Sequence, residues 1–181
     1  TAPERSVPAA EDGATLALEA GYAVFRGETL CGFLDTDAAL GADLLLGFAP
    51  QASYVLPDGS GGTVTVQLHT AKASLSPVRN GGETAVRIAV RVRAGVTESS
   101  GADTADAEML ARLEDGLSRA VAAQIEAAAE ASKALDADFL ELWRVLPEVK
   151  DEGVLASLRT LVQTESVLER SYDIYGSAHG K

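Results

Sequence analysis

One cysteine, Cys31, occurs in the chain of 181 residues, so no intrachain disulfide can form and no cysteine cage for zinc can be assembled. Histidine is nearly as scarce. His69 and His179 are the two in the chain, and neither has a second His or a Cys at ligand spacing. No apolar run approaches the roughly eighteen residues of a membrane-spanning helix. The opening stretch, with Pro3, Pro8, Glu11, Asp12 and Gly13, does not have the apolar core of a secretion leader, so the chain by itself reads as soluble. Basic side chains are the minority, 15 against 27 acidic ones. The resulting net charge of −12 disfavours broad attachment to nucleic acid or anionic lipid, and no nucleic-acid partner is expected. A local basic patch would stand out in such a protein.

What is present suffices for one sizeable core, since 46% of the residues are apolar. Residues 1–13, rich in Pro, Ala and charge without periodicity, read as a flexible lead-in or linker remnant, residues 14–176 as a single domain, and residues 177–181 as a tail. Leu16, Leu18, Tyr22, Val24 and Phe25 suggest a strand, Gly27-Glu28 a turn, and residues 29–34 the returning strand of a hairpin. Asp35 or Thr36 is placed to cap a short helix over 37–46, whose Ala39, Leu40, Leu44 and Leu45 make an apolar side. A short strand is expected over 53–56, stopped by Pro57-Asp58-Gly59. The clearest pattern follows. Val64, Val66 and Leu68 alternate with Thr65, Gln67 and His69, and beyond Arg79-Asn80-Gly81-Gly82 the residues Val86, Ile88, Val90 and Val92 alternate with Arg87, Ala89, Arg91 and Arg93. This predicts two long antiparallel strands with one dry face.

Asp103 or Thr104 is placed to cap a long helix reaching roughly Leu135, in which Leu110, Leu113, Leu117, Val121 and Ile125 recur at helical spacing. A second, short helix is expected over 137–146, ended by Pro147. The tail stays open between two readings: Leu155, Leu158, Leu161 and Val162 fit a helix face, while residues 161–174 carry the Val, Leu, Thr and Tyr of a strand. Either way the fold class is α+β, a mostly antiparallel or mixed sheet with helices, one of them long, packed on one face.

The residues able to carry chemistry read as structural. His69 lies on the polar side of a predicted strand, as a half-exposed strand residue rather than a ligand or base. Cys31 sits between Leu30 and Gly32 in an apolar segment, where a buried, inert thiol is expected. Asp136 and Asp138 bracket a helix junction, with Asp138 placed to cap the segment whose Phe139, Leu142 and Trp143 are expected to pack. Gly59-Ser60-Gly61-Gly62 lacks the Lys-Ser/Thr ending of a phosphate loop and leads into no helix, so it reads as a turn. No nucleophile–base pair, paired-carboxylate set or metal constellation emerges. No catalytic residue, cofactor or metal is therefore expected, and an enzyme would need His69, Asp136 and Asp138 to converge in one pocket. The row Arg87, Arg91 and Arg93, extended by Lys72, concentrates positive charge on one sheet face of an acidic protein. A plain solvated face is the bland reading; as candidate partner-contact residues the four would dock an acidic partner or lipid headgroups.

Residues 19–35 contain a Gly21-Tyr22-Ala23-Val24-Phe25 strand, a turn, a Leu30-Cys31-Gly32-Phe33-Leu34 strand and the acidic helix start Asp35. This segment resembles the signature that opens the C-terminal domain of the Ger(x)C family, the lipoprotein C subunit of spore germinant receptors. A Leu-rich short helix, two long strands, a long helix and Ala134-Leu135-Asp136-Ala137-Asp138-Phe139, similar to the family's Ala-Asp-aromatic junction, follow in the family's order. The likeness covers about residues 15–176. It tips the tail toward a strand, although residues 169–176 are only similar to the family's closing pattern. Residues 146–155 depart from it, being shorter and more acidic than the family's Pro-x-x-Trp region.

The resemblance implies a subunit held by a lipid anchor on the outer surface of the spore inner membrane, acting with integral-membrane A and B receptor subunits in the response to nutrient germinants. A secretion signal, a lipidated cysteine and two preceding domains belong to that family pattern and are not in this sequence, so the resemblance implies a fragment. The function it implies is a non-catalytic scaffold or interaction domain. The alternative is a module that binds the germinant itself.

Overall fold

The computed structural model describes residues 3–6, 18–48, 52–80, 83–99, 106–151 and 153–169. Strands β1 (Pro3–Ser6), β2 (Leu18–Arg26) and β3 (Thr29–Phe33) form a small antiparallel sheet in that order. Within the stretch read as a flexible lead-in, Pro3–Ser6 is thus a strand hydrogen-bonded to β2; residues 7–13 and the tail 177–181 lie outside the described residues. The expected hairpin of β2 and β3 turns through Gly27, whose φ of 61° is the left-handed conformation that glycine adopts without steric cost. Asp35 then caps helix α1 (Thr36–Leu46), its carboxylate accepting the Ala38 N–H at 2.8 Å.

The alternating segments build the main sheet. Strands β4 (Ser53–Pro57), β5 (Thr63–Asn80), β6 (Glu83–Ser99) and β7 (Arg159–Glu169) lie in the order β4-β5-β6-β7, the first three antiparallel and β7 parallel to β6. A parallel neighbour requires a crossover. Here it contains helix α2 (Ala107–Ala134) and the single-turn helix α3 (Val154–Ser157). The cap of α2 is Asp106, which accepts from Glu108 N–H, rather than the Asp103 or Thr104 expected; residues 100–105 lie outside the described residues. With 28 residues, α2 is about 42 Å long.

Both α1 and α2 cover one face of the main sheet. Leu113, Leu117, Val121 and Ile125 of α2 are sealed from solvent together with Val64, Val66, Val86, Ile88 and Val92 of the sheet. Each such side chain contributes roughly 1.5–3 kcal/mol by leaving water. The helices themselves cross closely. A Cβ on Gly41 of α1 would strike the backbone oxygen of Gln124 in α2, so the contact needs a residue with no side chain. Among the described residues no helix is long and apolar enough to cross a membrane.

Two expectations about the later part change. No α-helix forms over 137–146. Asp136 and Glu141 have φ values of 46° and 58°, which interrupt any right-handed helix, and a 3-10 turn at Leu142–Arg144 stands in its place. Pro147 opens a second 3-10 turn, Pro147–Lys150, instead of ending a helix. In the tail the strand reading prevails as β7, and the helical one survives only as α3; residues 170–174 lie outside the described residues.

Candidate functional site

With the helices on one side, the other face of the main sheet carries no covering element among the described residues. Backbone register sets which side chains meet there. Lys72, Arg91 and Glu165 form one cross-strand row, Ser76, Arg87 and Leu161 another, and Arg93 lies beside Val167. Lys72, Arg87, Arg91 and Arg93 therefore share one exposed face, as the alternation predicts. The row is not bare. Arg91 donates through Nε and Nη2 to Glu165 Oε2 at 3.0 and 2.7 Å, and Arg93 Nη2 lies 2.7 Å from Glu169 Oε1. Among the described residues Lys72 and Arg87 have no ion-pair partner.

Glu169 is held from a second side as well. Gly95, its register neighbour on β6, leaves room for the His69 ring to lie across that strand, and His69 Nδ1 comes within 3.0 Å of Glu169 Oε2. The His69 hydrogen bond, with Arg93 beside it, holds the Glu169 carboxyl below the usual carboxylate range despite some loss of hydration. Polar contacts from α2 fix β7 and so position its carboxylates. Thr164 Oγ1 donates to Ser118 O at 2.8 Å, Ser118 Oγ to Ser166 Oγ at 2.9 Å, and Leu168 N–H to Glu114 Oε1 at 2.9 Å.

A second concavity lies beyond the C-terminal end of α2, a cleft of about 620 Å³ whose walls include Phe25, Arg26, Asp136, Phe139, Trp143 and Lys150. Its acids are held by the fold. Asp138 accepts from the N–H groups of Leu142 and Trp143 at 2.9 and 2.8 Å, the capping role expected of it at a 3-10 turn, and Asp136 pairs with Arg26 Nη1 at 3.0 Å. Of the three side chains expected to pack, Leu142 is buried and Phe139 half-buried, while Trp143 is 39% exposed with the Lys150 ammonium 4.1 Å over its ring. His69, Asp136 and Asp138 do not converge: the two acids line this cleft and His69 lies on the open sheet face. Cys31 is half-buried, its Sγ 3.7 Å from Thr29 O, and His179 lies outside the described residues.

Sequence reasoning missed Glu165 and Glu169. They are four residues apart and so on one side of a strand, but only the parallel register with β6 shows that they face the arginines. The Gly59–Gly62 stretch is the turn expected, closed by Asp58, which the sequence reading used only as a breaker.

No curated protein sequence matches the chain. Its fold is similar to that in the crystal structure of the GerBC protein, with a TM-score of 0.71 at 17% identity over 92% of this chain. The match takes in 55% of the GerBC chain, so this chain spans about half the length of that protein. Residues 20–149, from β2 to the second 3-10 turn, match the family model described as spore germination B3/GerAC like, C-terminal, and the chain belongs to that family.

Proposed function

We propose that this domain is a non-catalytic interaction module of the C subunit of a spore germinant receptor, docking another receptor subunit on the open face of its four-stranded sheet. The observation that carries the reading is that, among the described residues, no helix or strand packs on the outer face of this four-stranded sheet. On that face lie Lys72, Arg87, Arg91 and Arg93, four cations against the carboxylates of Glu165 and Glu169, in a protein of net charge −12. The structural duties of Asp136, Asp138 and His69 support a role without chemistry. In the longer protein a lipid anchor would hold the module at the outer surface of the spore inner membrane beside the A and B subunits. The test is crosslinking of the full-length protein to those subunits in spore membranes. Capture of A or B is the expected result, and its absence would overturn the reading.

The cleft favours a second reading, a site for the germinant itself. Its volume is that of a small-molecule pocket, and aromatic walls stand beside charged groups. Here a germinant panel would raise the melting temperature of the isolated domain, and a panel without effect would remove this reading.

A further inference from the structure

Across β5, β6 and β7 the open face dips at one row. Register places Ser74, Ala89 and Gln163 side by side, between the row of Ser76, Arg87 and Leu161 and the row of Lys72, Arg91 and Glu165. At the centre of the middle row a single methyl replaces the guanidinium groups above and below it. The result is a hollow of about 530 Å³ walled by Lys72, Ser74, Arg91, Gln163 and Glu165, with Ala89 at its floor. Arg87 stands two residues along β6, about 7 Å away on the same face.

The charges around this hollow are unequal. Glu165 is the acid in its wall, and both nearby Arg91 nitrogens hold it. The Lys72 ammonium and the Arg87 guanidinium, toward opposite sides, have no carboxylate partner among the described residues. The Ser74 hydroxyl makes only a long bond of 3.4 Å to Ala89 O, and the Gln163 amide is exposed. Two uncompensated cations flanking neutral donors suit a pair of carboxylates. Their spacing suits a particular shape. Arg87 and Arg91, the latter in the row of Lys72, are four residues apart on an extended strand, roughly 13 Å, and acidic side chains four residues apart on another extended segment span the same distance.

We infer that this hollow receives an extended acidic segment of a partner protein, one carboxylate on Lys72 and another on Arg87. The inference rests on the interaction-domain reading and names the partner chemistry. A bilayer is the poorer occupant, because a flat anionic surface would also meet Glu165 and Glu169 on this face, whereas an extended segment can set its carboxylates on Lys72 and Arg87 alone.

The probe is a short, fluorescein-labelled peptide of extended composition with Glu at four-residue spacing, followed by anisotropy at low salt. Arg87→Glu and Lys72→Glu should each weaken binding by about fivefold or more. Ala89→Leu, which fills the hollow without changing charge, should do the same, and Arg112→Glu on α2, away from this face, should not. The two charge reversals are at exposed positions and keep the test decisive should Ala89→Leu fail to fold. Equal binding by Arg87→Glu and Lys72→Glu would overturn the inference. So would binding to phosphatidylglycerol vesicles, but not to the peptide, that these variants abolish, since that result assigns the face to lipid. Crosslinking of the full-length protein separates the two readings. Subunit capture unchanged by Arg87→Glu defeats the hollow alone, whereas no capture by the wild type defeats the interaction module.

Discussion

Asp58 is 5% exposed in the turn after β4, and it remains buried because the chain folds around its carboxylate. Oδ1 accepts the N–H groups of Ser60 and Gly62 at 2.7 and 2.9 Å, and Oδ2 accepts the Ser60 hydroxyl at 2.9 Å. These donors, the Ser60 N–H foremost, hold the carboxyl below its ordinary value against the opposing effect of burial. A carboxyl depressed in the folded state stabilises the protein above the unfolded value, and that contribution is lost as pH falls through the folded one. Asp58→Ala should therefore lower the melting temperature at neutral pH, with the gap to wild type closing below about pH 4. Melting curves taken in neutral and acidic buffer measure this, and a gap that persists unchanged in acid would refute the account. The turn itself is legible in Pro57-Asp58-Gly59, but the carboxylate at its centre is not, because burial arises from packing that no local pattern records.

At the scale of elements, periodic segments were readable and irregular ones were not. Val64 to Leu68 and Val86 to Val92 alternate because one face is dry, and Leu113, Leu117, Val121 and Ile125 recur because one stripe is. Both patterns survive in the fold. Residues 137–146 offer an apolar spacing just as suggestive, yet backbone turns at Asp136 and Glu141, and the grip of Asp138 on two N–H groups, favour a tighter 3-10 turn. The arginine row was legible as a face, while its carboxylate partners depended on a strand brought alongside by tertiary packing. Close approach of α1 to α2 is likewise invisible in sequence. It has a sharp consequence at Gly41. On an exposed helix Gly→Ala gains about 0.5–1 kcal/mol, but here the added methyl strikes Gln124 O, and Gly41→Ala should instead lose about 1–3 kcal/mol in denaturant titration. A stabilised variant would show that the two helices separate without cost.

At the scale of the whole molecule, the described residues form a small three-stranded sheet and a main sheet with one sealed face and one charged face, and the helices on the sealed face share a single core with it. Leu117 lies at its centre, fully buried. Leu117→Ala should cost about 2–5 kcal/mol, and the helix and sheet signals of circular dichroism should still fall in one transition. Two separated transitions would divide the core that α2 and the sheet share.

Strand β6 makes the same point in time. Its antiparallel partner β5 is made just before it, but its parallel partner β7 begins roughly sixty residues later, a wait of about 3–12 s at ordinary synthesis rates. Through that interval the far edge of β6 offers its backbone groups to any strand that arrives. A chain in which β7 has not yet docked is thus open to pairing with a neighbouring copy of itself along that edge.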